Sequence, residues 1–421
     1  MYSAAPVLAR HLLSLALSFA ASSMASAQAF SEPAAPLSLR SAIEYSLVYN
    51  LDISVARREL EATEGAVIQS RTRPNPQVSV SKEDARNPTQ SNALQLNIPI
   101  ELGGKRAARM DASERRRDIA GTELAQRQGE IRANTLSAYF DVLTSQERVL
   151  LAQSTLDLAK RATDAASKRA QAGRISPVDE TKAKVAEANV RVELAQAQSE
   201  LRNSRQKLSA LWGALSPNFE RASEPVERLP EVPTAAVLQE RLLVAPAIRG
   251  GQFEIDRRIA IKQLEQARRI PDPVFSVGIK QVANAASQLL VGVSIPLPVF
   301  DTNQGNVLEA QRREEKARSE LLATQWRLQT DVLQVRERLF ASRNEVQALN
   351  DEVVPGAQSA LEAATIGFEA GKFSFLEVLD AQRTLILART KKLRALEQTH
   401  RAAAEIDRLL GDLPATTASG N

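Results

Sequence analysis

The chain has 421 residues, of which only 4% are aromatic, and this composition favours long helices over a thick globular core. Its 54 basic and 50 acidic residues leave a formal charge of +4, which gives no basic face for nucleic acid. The absence of cysteine excludes a disulfide framework, a thiolate metal site and a lipidated cysteine.

The first residues have the three-part pattern of a secretory signal. Arg10 provides a basic start, an apolar run covers 12–21, and small residues end at Ala25-Ser26-Ala27. We predict a signal peptide at 1–27, cleaved before Gln28, and the alternative is a buried N-terminal helix. No later stretch reaches the roughly 18 consecutive apolar residues of a membrane helix, so we expect any membrane segment to consist of strands.

The remaining chain is a duplication. Pro74–Val80 recurs as Pro271–Val277 at an offset of 197 (271 − 74), and Ala172-Gly173 recurs as Ala370-Gly371 at an offset of 198 (370 − 172). This period far exceeds the roughly 20–50 residues of solenoid repeats. The predicted units are a first repeat at 28–213, a linker at 214–233, a second repeat at 234–411 and a flexible tail at 412–421.

Each repeat opens with a helical stretch, at about 38–72 and 234–270, which paired prolines end. Alternation of apolar and polar residues then predicts two strands per repeat. Their length suits tilted outer-membrane strands with one face toward lipid and the other toward water. A soluble hairpin packed on helices shows the same alternation and remains an alternative on the strands alone. The predicted strands are 76–83, 92–100, 273–280 and 288–296.

Long helices follow the strands in both repeats. At 1.5 Å per residue, each outgoing helix makes a rod of about 100 Å, and proline is absent from these segments until Pro355. Apolar residues recur every seven positions, as at Leu124, Ile131 and Ala138, which indicates a coiled-coil-like seam. The predicted helices are 104–172, 176–213, 302–369 and 374–411.

Each rod ends at a matched glycine motif, Gln171–Pro177 in the first repeat and Glu369–Phe375 in the second. Glycine just past a helix end, followed by serine and an acidic first turn, is ordinary capping chemistry. A plain turn between helices therefore explains the motif as structure. Its position about 100 Å from the strands makes it a candidate contact surface as well.

Several motifs resemble the TolC family of outer-membrane efflux proteins, over essentially the whole exported length. Leu39–Ile43 is similar to the family's first helix, and Phe368–Gly371, continuing through Glu377–Gln382, is similar to its second periplasmic tip. Glu101–Arg106 and Pro298–Asn306 resemble the CzcC-like, heavy-metal branch. The motifs occur in register with the duplication, which makes the resemblance specific.

The resemblance implies a mainly α fold with a small transmembrane β portion. Three chains would each give four strands to one barrel of 12 strands (4 × 3), continued across the periplasm by a coiled-coil α-barrel. Closure among three chains removes the sheet edges that lipid cannot satisfy. The implied partners are a homotrimer, a periplasmic adaptor, an inner-membrane resistance-nodulation-division pump and outer-membrane lipid.

The function that follows is passive conduction from the pump to the outside, with divalent heavy-metal cations as the expected cargo. Organic drugs in the same architecture are one alternative, and a periplasmic coiled-coil scaffold is an alternative of another class. We expect no enzyme activity, cofactor or resident metal, because His400 is the one histidine after the signal and no strained-turn nucleophile motif accompanies it.

Two sets of candidate site residues lie at the tips. Glu377 and Asp380 share a helix face and would form acidic rings in a three-fold pore, with Asp179 in the first repeat. Capping of the helix by these acids is the structural alternative. The expected adaptor contacts are Gly173, Arg174, Ile175, Ser176, Gly371, Lys372, Phe373 and Ser374.

Overall fold

The computed structural model describes residues 36–83, 90–223, 228–283, 285–373 and 375–411. The predicted signal peptide at 1–27, the tip residue Ser374 and the predicted tail lie outside the described residues. Within the described part of the chain, no helix combines the length and apolarity needed to cross a membrane.

The described elements follow the duplicated order expected from the sequence. The first repeat contains α1 (Leu39–Tyr49), α2 (Leu51–Ser70), β1 (Gln77–Glu83), β2 (Ser91–Pro99), α3 (Lys105–Gln171) and α4 (Pro177–Ala210). The second contains α5 (Ala235–Val244), α6 (Pro246–Ala267), β3 (Val274–Val282), β4 (Gln288–Ser294), α7 (Gln304–Ala348), a π-helical segment (Leu349–Val353), α8 (Val354–Glu369) and α9 (Phe375–Leu410).

The opening helical stretch of each repeat is two helices rather than one. Asn50 ends α1 and caps α2, because its side-chain oxygen accepts hydrogen bonds from Asp52 N at 2.9 Å and Ile53 N at 3.3 Å. In the second repeat the extended residue Ala245 separates α5 from α6, and Pro246 occupies the first turn of α6. Proline fits there because the first turn of a helix needs no backbone donor.

The four strands form one antiparallel sheet in the order β1-β2-β3-β4. The two repeats meet within this sheet, because β2 pairs with β3, as at Leu94 opposite Ile279. Along each strand one exposed face is mainly apolar, and the other face carries most of the polar side chains together with a few apolar ones such as Val282 and Leu290. β1 and β4 are the sheet edges, so both lie ready to pair with strands of another chain.

The long helices differ between the repeats. α3 is a single α-helix of 67 residues, about 100 Å long. The corresponding part of the second repeat, predicted as one α-helix over 302–369, is interrupted by the π segment Leu349–Val353. Pro355 is the second residue of α8, which begins directly after this segment. Proline lacks a backbone donor and crowds the preceding turn, and a wider π turn accommodates that defect without ending the rod.

A central core joins the two repeats about midway along the rods. Tyr139, Leu208, Phe219 and Leu396 are almost fully buried there. Phe219 belongs to the segment predicted as a linker, so part of 214–233 is packed into the core. The same segment is joined by a parallel bridge between Ala222 and Leu37 to the residues just before α1.

Two further apolar clusters stabilise the rods, one on the sheet side of the central core and one at the tips. One packs α5 and α6 against α7 and α9, and includes Leu238, Ile248, Val332, Leu339 and Ile406. The other joins the two tip hairpins. Its buried members are Ala166, Ala183, Ala357, Leu361, Ala364, Phe368, Val378, Leu385 and Ala388.

A buried ionic cluster also fixes α6 against α7. The Glu314 carboxylate, in a residue only 8% exposed, lies 2.5 Å from Lys262 Nζ and 2.8 Å from an Arg318 guanidinium nitrogen. The hydrogen bond from Lys262, followed by that from Arg318, holds the pKa of Glu314 below its usual value. Ionised Glu314 therefore contributes to the packing of these helices at neutral pH.

Candidate channel site

The two tips have the same backbone geometry. Gly173 and Gly371 have φ of 68° and 73°, a left-handed conformation that favours glycine. The following amides close each helix, because Arg174 N donates to Arg169 O and Lys372 N donates to Gly367 O, both at 2.8 Å. These are Schellman motifs, so the glycines predicted from the sequence are structural requirements of both turns.

The expected tip residues are largely available for contact. Gly173, Arg174, Ser176 and Gly371 are exposed, and Ile175 is half-buried. In the second tip, Lys372 and Phe373 are also exposed. The ring of Phe373 nevertheless covers Gly367 so closely that a Cβ there would lie 2.1 Å from Phe373 Cδ2. Phe373 therefore shapes its own turn as well as presenting a surface.

The two tips of one chain pack together. The Arg169 guanidinium on α3 lies 3.8 Å above the Phe368 ring on α8, and it also donates to the Phe368 carbonyl at 3.4 Å. The cation–π contact and the hydrogen bonds lie at the edge of the apolar cluster that joins the two tip hairpins. The tips thus form one surface rather than two independent projections.

The structure places the candidate gate acids on two different hairpins. Glu377 and Asp380 are exposed and one turn apart on α9. Asp179 lies in the first turn of α4, where its carboxylate is 3.7 Å from Lys182. Its charge is therefore partly offset within its own helix.

The strand-to-helix junction of the first repeat is an interlocked turn. Gly103 has φ of 72°, and a Cβ there would lie 2.8 Å from Ile270 Cδ1. The side chain of Lys105, only 10% exposed, reaches the Asp272 carboxylate at 2.7 Å and the Ile270 carbonyl at 2.6 Å. Asp272 in turn accepts the Leu102 amide at 2.8 Å. The Glu101–Arg106 motif therefore fastens the sheet to the segment after α6.

A second contact strengthens this junction. Arg109 binds Glu101 through two hydrogen bonds of 2.7 and 3.1 Å and also donates to the carbonyls of Ser70 and Thr72. The hydrogen bond with Glu101 raises the pKa of Arg109, against the opposing effect of burial. The sequence analysis missed Arg109, because its partners lie on segments whose approach is set only by the fold.

The junction of the second repeat uses a different residue. Asn303 has a left-handed φ of 58°, and its side-chain amide donates to the Glu265 carbonyl at 2.8 Å. It also donates to the Glu265 carboxylate at 2.9 Å. The Pro298–Asn306 motif thus supplies a turn that anchors the start of α7 to the end of α6.

The remaining histidine lies in the central core. His400 is 4% exposed, and its ring stacks on Phe140 with centroids 3.5 Å apart. Among the described residues, no group of three or more histidine, cysteine, aspartate or glutamate side chains is arranged to hold a metal ion.

Comparison with known proteins identifies the family. The profile described as "Outer membrane efflux protein" matches residues 42–214 and 237–412, one match in each repeat. The chain belongs to the outer membrane efflux protein family. It is therefore an efflux channel of the outer membrane, and the prediction made from the duplicated motifs is confirmed.

The relatives agree with this assignment. The chain is 45% identical to the cobalt-zinc-cadmium resistance protein CzcC of Cupriavidus metallidurans, over 90% of this chain and 91% of the relative. It is 24% identical to the cation efflux system protein CusC of Escherichia coli K12, over 71% and 68% of the two chains.

Solved structures support the fold. A crystal structure of CusC superposes with a TM-score of 0.77 at 18% identity, covering 91% of this chain and 99% of that chain. The open-state MtrE channel of Neisseria gonorrhoeae gives 0.75 at 18% identity, covering 89% and 88%. The predicted mainly α fold with a small sheet of four strands per chain is confirmed.

Proposed function

We propose that this protein is the passive exit duct of a tripartite pump that exports divalent heavy-metal cations. The assignment of the cargo is supported by the 45% identity, over nine-tenths of both chains, to a protein named for cobalt, zinc and cadmium resistance. The 27% identity to the nickel and cobalt resistance protein CnrC, over 59% of this chain, supports the same class of cargo.

The assembly in this proposal is a homotrimer. Each chain has two open sheet edges, β1 and β4, and an exposed apolar face on the same sheet. Pairing these edges among three chains closes a barrel of 12 strands in outer-membrane lipid, which satisfies every backbone group. In each chain the repeats 28–213 and 234–411 supply one hairpin apiece to this barrel.

The lower end of the duct carries the gate and the adaptor contact. Glu377 and Asp380 of three chains make acidic rings that favour cations, and Asp179 adds a weaker contribution. The exposed glycine turns receive the helical hairpin ends of a periplasmic adaptor, which links the duct to a proton-driven pump of the inner membrane. Selection of the metal belongs to that pump, because tight binding in the duct would prevent release.

Deletion of this protein in its host, followed by complementation, tests the proposal. The deletion is expected to lower the inhibitory concentrations of one or more of cobalt, zinc and cadmium, with little change for dyes and detergents. Complementation with His400→Phe, which keeps the aromatic stack on Phe140, should restore full resistance. Sensitisation to organic compounds alone would overturn the metal assignment and leave the conduit intact.

A second candidate cargo has one relative in its favour. The chain is 24% identical to the pyoverdine export outer membrane protein OpmQ of Pseudomonas aeruginosa, over 78% of this chain. That relative is named for export of an organic molecule. The same deletion strain distinguishes the two cargoes, because the two classes of compound are tested side by side.

A further inference from the structure

The water-facing side of the sheet carries one ion pair near its loop end. Lys280 Nζ on β3 lies 2.7 Å from Glu83 Oε2 on β1, and Ser91 Oγ on β2 donates to the same carboxylate oxygen at 3.3 Å. The pair therefore spans three neighbouring strands. The sequence alone does not predict this pair, because the approach of the two residues depends on the pairing of β2 with β3 between the repeats.

The register decides which side of the sheet the pair occupies. Ser81, Ala93 and Lys280 are aligned across β1, β2 and β3, one position from the aligned apolar residues Val80, Leu94 and Ile279. Neighbouring positions point to opposite faces, so Lys280 lies on the face opposite the exposed apolar one. In the proposed barrel, that polar face lines the water-filled passage.

The same register gives the height of the pair along the barrel. On the apolar face, the three aligned residues nearest the loop end are Lys82, Asn92 and Gln281, all polar. Their polarity marks the outer limit of the apolar band. Glu83 and Lys280 lie at this level, far from the helices, which follow the opposite ends of the strands. The pair is thus at the outer mouth.

Small residues separate the two members of the pair, and the Glu83 side chain itself is 63% exposed. The strand between these two members has small residues on the water-facing side, Ser91 and Ala93, which are only 4% and 9% exposed. The Lys280 side chain passes over them to reach Glu83. Among the described strand residues, Glu83 and Lys280 are the charged residues of the water-facing side, so this side of the strands has no net charge.

We propose that the ion pair between Glu83 and Lys280 keeps the outer mouth of the channel from retaining multivalent cations. This inference rests on the proposed trimeric conduit for cations. Without Lys280, three carboxylates would form an uncompensated ring, which attracts and holds divalent and trivalent cations. Lys280 cancels that field, so that cations leave the duct and external cations do not accumulate in its exit.

Block of single channels from each side of a planar bilayer tests the proposal. The probe is hexaamminecobalt(III), whose charge senses an acidic ring without forming new metal ligands. Added on the outer side, it should block Lys280→Gln at a concentration about tenfold lower than wild type. Glu83→Gln/Lys280→Gln should return to the wild-type value, and so should the charge-exchanged Glu83→Lys/Lys280→Glu.

The single variant Glu83→Gln tests the opposite change in charge, because it leaves Lys280 without its carboxylate. Its unpaired ammonium groups should shift the reversal potential in a KCl gradient toward anions, with no effect on block from the periplasmic side. Heat-modifiable trimers and an unchanged conductance at high salt establish that each variant is assembled. Because the charge-exchanged variant keeps the pair, it remains informative if a single substitution prevents assembly.

The results separate this inference from the proposed function. If wild type and Lys280→Gln form pores with the same sensitivity to the outer-side probe, the role of the pair is overturned while the conduit stands. If wild-type protein forms no pores, or deletion leaves metal resistance unchanged, the proposed function itself fails. If Lys280→Gln, compared with wild type, strengthened block from the periplasmic side as much as block from the outer side, the added acidic field would not lie at the outer mouth, and the inference would also be overturned.

Discussion

Replacing Lys105 by methionine should destabilise the junction between the sheet and the helices. The ammonium group is nearly buried and makes two short contacts, 2.7 Å to Asp272 and 2.6 Å to the Ile270 carbonyl. Methionine fills similar space but makes neither contact, and it leaves a carboxylate without its cation. A hydrogen bond to a charged group contributes about 1.5–3 kcal/mol, so the expected loss is about 3 kcal/mol.

The structure supplies an internal comparison for this substitution. Asp272→Asn removes the charge while keeping an acceptor for the Leu102 amide, so the double variant Lys105→Met/Asp272→Asn should lose less than the sum of the single losses. The expected coupling is about 1–2 kcal/mol. Lys316→Met is the matched control, because Lys316 is 72% exposed and its ion pair with Glu320 contributes about 0.5 kcal/mol or less.

The assay is unfolding of the purified protein in detergent by guanidinium chloride, followed by helical circular dichroism. Heat-modifiability of the trimer on gels provides a second measurement, and trimers of Lys105→Met should dissociate at a lower temperature. If Lys105→Met and Lys316→Met unfolded at the same denaturant concentration, the buried ion pair would not fasten the junction. Strictly additive losses in the double variant would refute direct coupling with Asp272.

Three other outcomes are expected. Lys262 and Arg318 lower the pKa of Glu314 in the folded protein. The ionised Glu314 carboxylate therefore stabilises the fold above its unfolded pKa of about 4.3, and this stabilisation is lost as the pH falls through the lower pKa of the folded state. The denaturation midpoints of wild type and Glu314→Gln should therefore differ at pH 7 and converge toward pH 3, and a constant difference would contradict this linkage. Glu377→Gln together with Asp380→Asn should raise anion permeability in bilayers and weaken block by multivalent cations from the periplasmic side, whereas unchanged selectivity would remove these residues from the gate. Gly371→Val should strain a left-handed turn and reduce metal resistance while trimers still assemble, and Gly356→Val, at a helical glycine without positive φ, is its control. Full resistance with Gly371→Val would contradict adaptor contact at the tip.

The sequence predicts the architecture because the duplication repeats each signal. Alternation identifies the strands twice, and glycine motifs mark both tips, so each half supports the interpretation of the other. The contacts between segments that are distant in the chain are harder to predict from the sequence. Asn50 breaks the first helical stretch while its side-chain amide also donates to Leu211 O, 161 positions away in the chain, at 2.8 Å. Local helix propensity contains no information about that contact.

The residues of the candidate site likewise fall into those that the sequence predicts and those that only the fold reveals. The gate acids and tip glycines were visible because they belong to short motifs, and their roles in the gate and in adaptor contact stay predictions. Lys280 and Arg109 were not visible, because their partners lie on other strands or loops. Part of the predicted linker is packed into the core, since Phe219 is buried in the central cluster formed by both repeats. Pairwise register and tertiary approach, rather than composition, determine these features.

The joining of both repeats into one sheet has an evolutionary consequence. Six copies of an unfused ancestor would give the same number of strands, but all six tips would carry the same residues. Fusion permits alternate positions around the ring to diverge, and the present chain has done so. One tip places Lys182 beside Asp179, whereas the other keeps two exposed acids. Gene fusion thereby converts six-fold repetition into three-fold alternation, in which the two kinds of tip can take different roles.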